Sequence, residues 1–440
     1  MRKFISLPGE APDFEAKLLA YAATRKVACL LRSNRNLFPT TDPYSMFEWC
    51  LAIDAQDEIE GDAGAFDSVR TFHIRKQDWT FGFLTYDLKN DTENLDSSNA
   101  DGLGFPTYHF FQPAYIFIKK ENSLTLGLPD VPGAEAAAIQ LITDINGLLL
   151  NLDEPGEGTS PQPGVSREEY IRNVTEIKKH IQRGDIYEMN YCVEFFADHA
   201  FIKPHIIFEK LVQISPMPFS GFYKNREQYL MCASPERFIA GRGKKIISQP
   251  IKGTARRGTT AEEDDLIRLK LMDDEKEKSE NVMIVDLVRN DLSKTAARNS
   301  VKVEKLFDIH TFKQLHQMIS TVVSEMKDGL HWTDVIRHAF PMGSMTGAPK
   351  VRAMQLIEDF EISKRGLYSG AIGYATPDGD FDFNVVIRSI LYNADNKYLS
   401  FMVGSAITIN SDPEKEYDEC MLKAKSMMQV LQVQTPENVS

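Results

Sequence analysis

GLYSGAIGYATPDGDFDFNVVIRSILY, from Gly366 to Tyr392, followed by KYLSFMVGSAITI, from Lys397 to Ile409, decides how the chain folds. Three β runs, Gly366–Thr376, Phe381–Tyr392 and Lys397–Ile409, are joined by short polar connections, the first of them the turn Pro377-Asp-Gly-Asp380. This pattern predicts an antiparallel meander. In the middle run Phe381, Phe383, Val385 and Ile387 share one face, and Asp382, Asn384, Val386 and Arg388 share the other. Arg388 therefore stands beside Val386 and Ile390, where a cation is out of place unless it is paired.

Just upstream, Gly343-Ser-Met-Thr-Gly-Ala-Pro-Lys350 fails the Walker spacing, because only three residues separate its glycines and Ala-Pro intervenes before Lys350. It predicts a rigid turn into a helix over Val351–Asp359, whose backbone N–H groups can still meet an anion. Pro250-Ile-Lys-Gly-Thr-Ala-Arg-Arg-Gly258 follows the strand-like Lys244–Ser248 and places Lys252 at a strand end before two turn glycines. Desolvation there, with Arg256 or Arg257 nearby, would lower the pKa of the lysine and make it a nucleophile; the alternative is a solvated loop lysine.

Two acidic pairs stand out. Glu277-x-x-Glu280 opens the helical pattern Val282, Val285, Val288, Leu292, and Glu416-x-x-Glu419 lies early in a helix begun by Ser411-Asp412-Pro413. Residues i and i+3 share a helix face, so each pair can offer two carboxylates to one point. Oxygen-only ligands favour a hard ion such as Mg²⁺, although acids near a helix start also simply complement its dipole. Arg388, Lys423 and the backbone of Gly404-Ser405-Ala406 are candidate carboxylate binders, while His316 by itself reads as a satisfied core or surface histidine.

The chain has 440 residues and 63 acidic against 50 basic side chains, a formal net charge of −13. That balance argues against a nucleic-acid partner. No apolar run approaches the roughly 18 residues of a membrane span, and the N-terminus lacks the apolar core of a secretory signal. The five cysteines are scattered without metal-ligand spacing, so a reducing cytoplasm is expected. Three prolines and three glycines among the residues 154–164 mark a linker. Before it, strand-like runs such as Phe81–Tyr86 and Tyr115–Lys119 and a helix over Gly133–Leu150 read as α+β; after it, Ser166-Arg-Glu-Glu169 starts a helix at the spacing of a capping box.

Taken in order, Gly184-Asp-Ile-Tyr187, Ser234-Pro-Glu-Arg-Phe238, PIKGTARRG from Pro250, Asp286-Leu-Val-Arg-Asn-Asp-Leu292, GSMTGAPK from Gly343, Tyr368-Ser-Gly-Ala-Ile-Gly-Tyr374, Ile387-Arg388 and Ser411-Asp-Pro with Glu416, Glu419 and Lys423 resemble the chorismate-utilising family. That family holds anthranilate synthase component I, aminodeoxychorismate synthase component I and the isochorismate and salicylate synthases. The resemblance spans about residues 165–435. It implies an α+β fold like that of anthranilate synthase component I, with two packed antiparallel sheets flanked by helices. Residues 1–153 would complete the sandwich, 154–164 link, and 165–440 form the chorismate-binding catalytic region.

Within the family, a lysine in PIKG looks like the amine-forming enzymes acting at ring carbon 4, and PIAG like the anthranilate synthases. The resemblance thus implies that Lys252 attacks carbon 2 of chorismate, that Glu236 protonates the leaving 4-hydroxyl, and that ammonia from a separate glutamine amidotransferase gives 4-amino-4-deoxychorismate, a precursor of p-aminobenzoate and folate. It implies Mg²⁺ on Glu277, Glu280, Glu416 and Glu419. The ring carboxylate would meet Lys423 and the Gly404, Ser405 and Ala406 backbone, and the enolpyruvyl carboxylate Arg388 and Tyr374. His316 joins the catalytic candidates and Thr346 the substrate contacts.

Three departures stand out. The usual glycine-rich stretch reads Gly404-Ser-Ala406. Glu188 replaces the Gln of amino-transferring relatives and the Lys base of isochorismate synthases. In Leu30-Leu-Arg-Ser33, Arg32 replaces the usual Glu, and Ser215-Pro-Met-Pro-Phe219 is only loosely similar, which tells against tryptophan feedback. An anthranilate- or isochorismate-forming enzyme is the second expectation, and a non-catalytic ligand-binding relative the third.

Overall fold

Alternation along single strands sets the layers. In strand Val27–Arg32, Val27 and Cys29 enter one apolar core while Ala28 and Leu30 enter another; in strand Trp49–Gly61, Cys50 and Ala52 divide from Leu51 and Ile53 in the same way. A sheet apolar on both faces must be covered on both. The computed structural model, which describes residues 2–7, 13–35, 42–150 and 159–431, covers one face with helices and the other with a second sheet.

The first ladder runs through Arg2–Ser6, Ser123–Pro129, Tyr108–Lys120, Trp49–Gly61, Val27–Arg32, Phe219–Asn225, Gln228–Ser234, Ser389–Asn393, Tyr398–Ile407 and Glu188–Ala197, each pair antiparallel. The second runs from Tyr108–Lys120 through Thr80–Leu84, Ala371–Ala375, Phe381–Val385, Arg237–Arg242, Lys245–Ser248 and Leu315–Glu325 to Lys302–Thr311. Strand Tyr108–Lys120 belongs to both. It changes neighbours about Pro113, which has no N–H to give, where the register opposite Ala55 and Asp57 slips. The architecture is the expected α+β arrangement of antiparallel sheets and flanking helices.

Helix Arg167–Arg183 is capped by Ser166, whose hydroxyl accepts from the Glu169 N–H at 3.1 Å. Of the predicted linker, residues 154–158 lie outside the described residues, as do 432–440 of the predicted catalytic region. Gln162 and Pro163 pair with Phe196 and Phe195.

The run Phe381–Tyr392 is not one strand. Phe381–Val385 ends in the second sheet, the Ile387 N–H turns back to the Val385 carbonyl at 3.1 Å, Arg388 adopts φ 49°, and Ser389–Asn393 continues in the first sheet. Val385, Val386, Ile387, Ile390 and Leu391 are apolar in both alternations, so periodicity gives no sign of the break. The crossing carries Arg388 to the seam between the sheets.

A buried ion pair locks the neighbourhood of that seam. Arg365 and Glu361 meet at 2.6 Å with their side chains 1% and 4% exposed. Glu361 accepts the Cys192 N–H at 2.9 Å, and Arg365 donates to the Asn190 and Met345 carbonyls at 2.9 and 2.6 Å. Glu361→Gln keeps the shape and leaves the guanidinium without a counter-charge. It is expected to cost about 3–5 kcal/mol, read as a lower urea midpoint at unchanged slope.

Candidate active site

Lys252 is the second residue of a separate strand, Ile251–Arg256, rather than the end of the strand that holds Lys245–Ser248. Between Ile251 and Thr254 this strand carries one more residue than its partner, which runs from Ile319 to Gln317, and Gly253 takes φ +93°. Such a bulge re-aims the side chain beside it. Here it turns Lys252 Nζ onto Glu188 Oε1 at 2.7 Å, with side chains 13% and 4% exposed. Glu188 opens strand Glu188–Ala197, opposite Ala348 of the GSMTGAPK turn. A Cβ on Gly347 would sit 2.2 Å from the Glu188 carbonyl oxygen, so glycine there permits the turn to approach.

Burial alone would lower the Lys252 pKa, but the carboxylates of Glu188, Glu280 and Glu236 raise it above the ordinary lysine value. The expectation of a lowered pKa is therefore corrected. Its supposed cationic neighbours are engaged elsewhere, Arg256 with Glu263 and Arg257 with Asp264. Glu236 goes the opposite way. Burial raises its carboxyl pKa to about 7, against the smaller opposing effects of the Ser344 hydroxyl and of Lys252. A carboxyl poised there holds a proton at neutral pH and can deliver it.

Glu277 and Glu280, on helix Glu275–Ser293, both have raised pKa values, from burial first and then, for Glu277, repulsion by Glu280. Lys276 feels Glu280, Glu277, Glu416 and Glu419, so the two acidic pairs share one electrostatic neighbourhood. Among the described residues no three carboxylate, imidazole or thiol groups close on one point as a preformed metal centre. The donors remain oxygen-only, held near a shared cation, and fit a hard ion.

Arg388 has no carboxylate partner among the described residues; its guanidinium only approaches Met217 Sδ at 3.5 Å, and burial lowers its pKa to about 10. Lys423 Nζ reaches the Gly404 carbonyl at 2.8 Å and Glu419 at 2.7 Å. Strand Tyr398–Ile407 pairs with Glu188–Ala197 through Ile407, but with Ser389–Asn393 only as far as Ser400, which leaves the other edge of Gly404–Ala406 without a strand among the described residues. A Cβ at Gly404 would lie 2.5 Å from Cys192 Sγ; the Ser405 side chain is buried, its hydroxyl 3.3 Å from Tyr170 OH.

Three further candidates are engaged by other groups. His316 Nε2 pairs with Asp264 at 3.0 Å and Nδ1 with Thr311 Oγ1 at 3.0 Å, so both ring nitrogens fasten the strand to its neighbours. Strand alternation puts its neighbour Gln317 on the opposite face, opposite Thr254. Tyr374 and Ile372, on one face of strand Ala371–Ala375, line a different cavity of about 590 Å³, where Tyr374 packs on Phe47 and Trp79. The Thr346 hydroxyl is buried and donates to the Met342 and Gly343 carbonyls.

Two juxtapositions are not expected from the sequence: Ser344 lines one narrow cleft with Glu236, and Glu188 bonds to Lys252. Glu188 and Lys252 lie 64 residues apart and no local pattern joins them.

A family model described as chorismate binding enzyme matches residues 36–429. The chain is 32% identical over 372 residues to aminodeoxychorismate synthase component 1 of Bacillus subtilis (strain 168), covering 82% of this chain and 78% of that protein. It is 39% identical over 270 residues to the probable chloroplastic aminodeoxychorismate synthase of Oryza sativa subsp. japonica, where the match takes 61% of this chain but only 30% of the longer plant protein. Among solved structures, anthranilate synthase component I from Streptococcus pneumoniae TIGR4 aligns with a TM-score of 0.78 at 25% identity, over 88% of this chain and 93% of that one.

The raised Glu236 pKa has a stability consequence. The unfolded chain releases this proton near the ordinary 4.5 while the native state holds it to about 7. The native state should therefore lose stability as pH rises from 4.5 to 7 and lose no more above it. Glu236→Gln should remove that slope, measured as urea midpoints across the range.

Proposed function

The chain belongs to the chorismate binding enzyme family and acts on chorismate, and we propose that it converts chorismate and ammonia to 4-amino-4-deoxychorismate. The observation that carries this reading is a buried lysine, Lys252, within electrostatic reach of a buried carboxyl, Glu236, whose pKa burial raises to about 7. Such a pair supplies a nucleophile and an acid to one ring. Lys252 Nζ bonds to ring carbon 2 as the bond from carbon 4 to its hydroxyl breaks, and Glu236 gives its proton to the departing oxygen. Ammonia then bonds to carbon 4 while the bond between Lys252 and carbon 2 breaks. The proton released by the new amine returns to Glu236, and the balance is one ammonia in and one water out.

Arg388 supports the same reading. A guanidinium without a carboxylate in a desolvated seam is costly until an anion arrives, and we assign it the enolpyruvyl carboxylate. The open backbone edge of Gly404–Ala406 and Lys423 suit the ring carboxylate. Glu277, Glu280, Glu416 and Glu419 are the residues that would hold Mg²⁺, which when bound would supply positive charge toward that carboxylate. Tyr374 lies in the other cavity and His316 is engaged by Asp264 and Thr311, so neither takes a step here.

A glutamine amidotransferase partner is inferred from the "component 1" names of relatives. None of the five cysteines suits a glutaminase nucleophile: all are free and buried, and burial raises the pKa of each. Free cysteines also suit the cytoplasm. No helix among the described residues is long and apolar enough to cross a membrane. The second reading, anthranilate formation, draws on the Streptococcus pneumoniae structure; a lysine on carbon 2 occupies the carbon where that amine would have to form.

Incubated with chorismate, MgCl₂ and ammonium chloride, the purified chain should yield 4-amino-4-deoxychorismate by mass spectrometry, and glutamine should support none without a partner. Lys252→Ala should lower the rate by roughly 10²-fold or more. Anthranilate or isochorismate as the main product would overturn the assignment. Glu280→Gln should weaken Mg²⁺ binding in calorimetry with the fold unchanged, and wild-type binding by that variant would remove Glu280 from the metal set.

A further inference from the structure

Lys252 cannot attack while it is an ammonium ion, because the lone pair it needs is engaged with a proton. That proton must leave a site into which water has little access. Glu188 is the single ion-pair partner of Lys252 among the described residues, at 2.7 Å along the N–H···O direction a proton would travel. Glu236, Glu280 and Glu277 also face the lysine electrostatically, yet none is within 4.0 Å of Nζ. The second Glu188 oxygen, Oε2, is buried and accepts no hydrogen bond from any described residue. The carboxylate is thus held by the lysine alone.

We propose that Glu188 is a catalytic base which takes the proton of Lys252 as the amine bonds to carbon 2, and returns it when the amine leaves. This rests on the functional reading above. The transfer turns a buried cation and a buried anion into two neutral groups at once, so neither is left as a lone charge in a desolvated site. The bookkeeping of protons closes: the Nζ–H bond breaks, an Oε–H bond forms on Glu188, the lone pair makes the bond to carbon 2, and the reverse transfer restores the ammonium as Nζ leaves carbon 2.

An internal transfer has a distinctive consequence. The ammonium–carboxylate pair and the amine–carboxylic acid pair carry the same number of protons, so the reactive fraction does not change with pH. With glutamine at 188 the proton must go to solvent, and the reactive fraction then grows with pH.

The test is formation of the Lys252 adduct, followed by intact-protein mass spectrometry after mixing the full chain with chorismate and MgCl₂ without ammonia. Glu188→Gln should form adduct roughly 10²-fold more slowly at pH 5.5. The ratio of its rate to the parent rate should climb between pH 5 and 7, by up to about tenfold per unit. Glu236 and Glu277, whose shifts carry no Glu188 contribution, cancel in that ratio, whereas Glu280 feels the Glu188 carboxylate, and Glu188→Asp, which keeps that charge, is its control. Glu188→Asp, which keeps a carboxylate one methylene shorter, should be slower than the parent with a ratio that stays level. A level ratio for Glu188→Gln, or adduct formation at the parent rate, overturns the proposal while the functional reading stands. No adduct and no 4-amino product from the parent chain overturns that reading, and the proposal with it.

Discussion

The buried pair of Glu361 and Arg365 is the constraint on which the site depends. Neither charge can be left alone at that depth, so every group that completes their hydrogen bonding is held with them. Among these groups are the Cys192 N–H and Asn190 carbonyl on the strand that Glu188 opens, and the Met345 carbonyl in the turn that carries Ser344. The clamp therefore sets where Glu188 meets Lys252 and where Ser344 lines the cleft of Glu236. Electrostatics at the reacting atoms follows from a backbone arrangement fixed several residues away.

Opposite pKa shifts result from one environment. Desolvation acts on Lys252 and Glu236 alike, favouring the neutral form of each. Lys252 has a carboxylate at 2.7 Å and stays charged, whereas Glu236 has only the Ser344 hydroxyl and a more distant lysine and keeps its proton. The protein thus stores a proton on the acid and a second on the nucleophile. Arg388 is the third element, a cation left without a counter-charge among the described residues where the chain crosses between sheets.

Adjacent residues of Ser234-Pro-Glu-Arg-Phe238 serve two spaces. Glu236 lines a narrow cleft with Ser344 and Asp291, while Arg237 lines the large cavity and pairs with Asp42 and Asp382 at 2.7 and 2.9 Å. Glu236 lies in the two-residue connection just before strand Arg237–Arg242, which parts it from Arg237, and strand alternation carries Tyr374 to the cavity side and His316 to the side of Asp264 and Thr311.

Local rules of the chain are enough for much of this. Alternating apolar residues and short polar turns specify antiparallel strands. Ser166 with Glu169 and Asp274 ahead of Glu277 specify helix starts that form as the side chains dictate. Ordered motifs carried Lys252, Glu236, Arg388 and the acidic pairs into one family. Sequence alone could not place the break at Val386–Arg388, because apolar residues on both alternations leave no period to interrupt. Nor could it orient Tyr374 and His316, since which face of a strand meets the site depends on the sheet packed against it. The state of Lys252 was decided by tertiary structure as well. Its pKa depends on a carboxylate 64 residues away, and the energy of two charges is set by their separation in space, which only the completed fold defines.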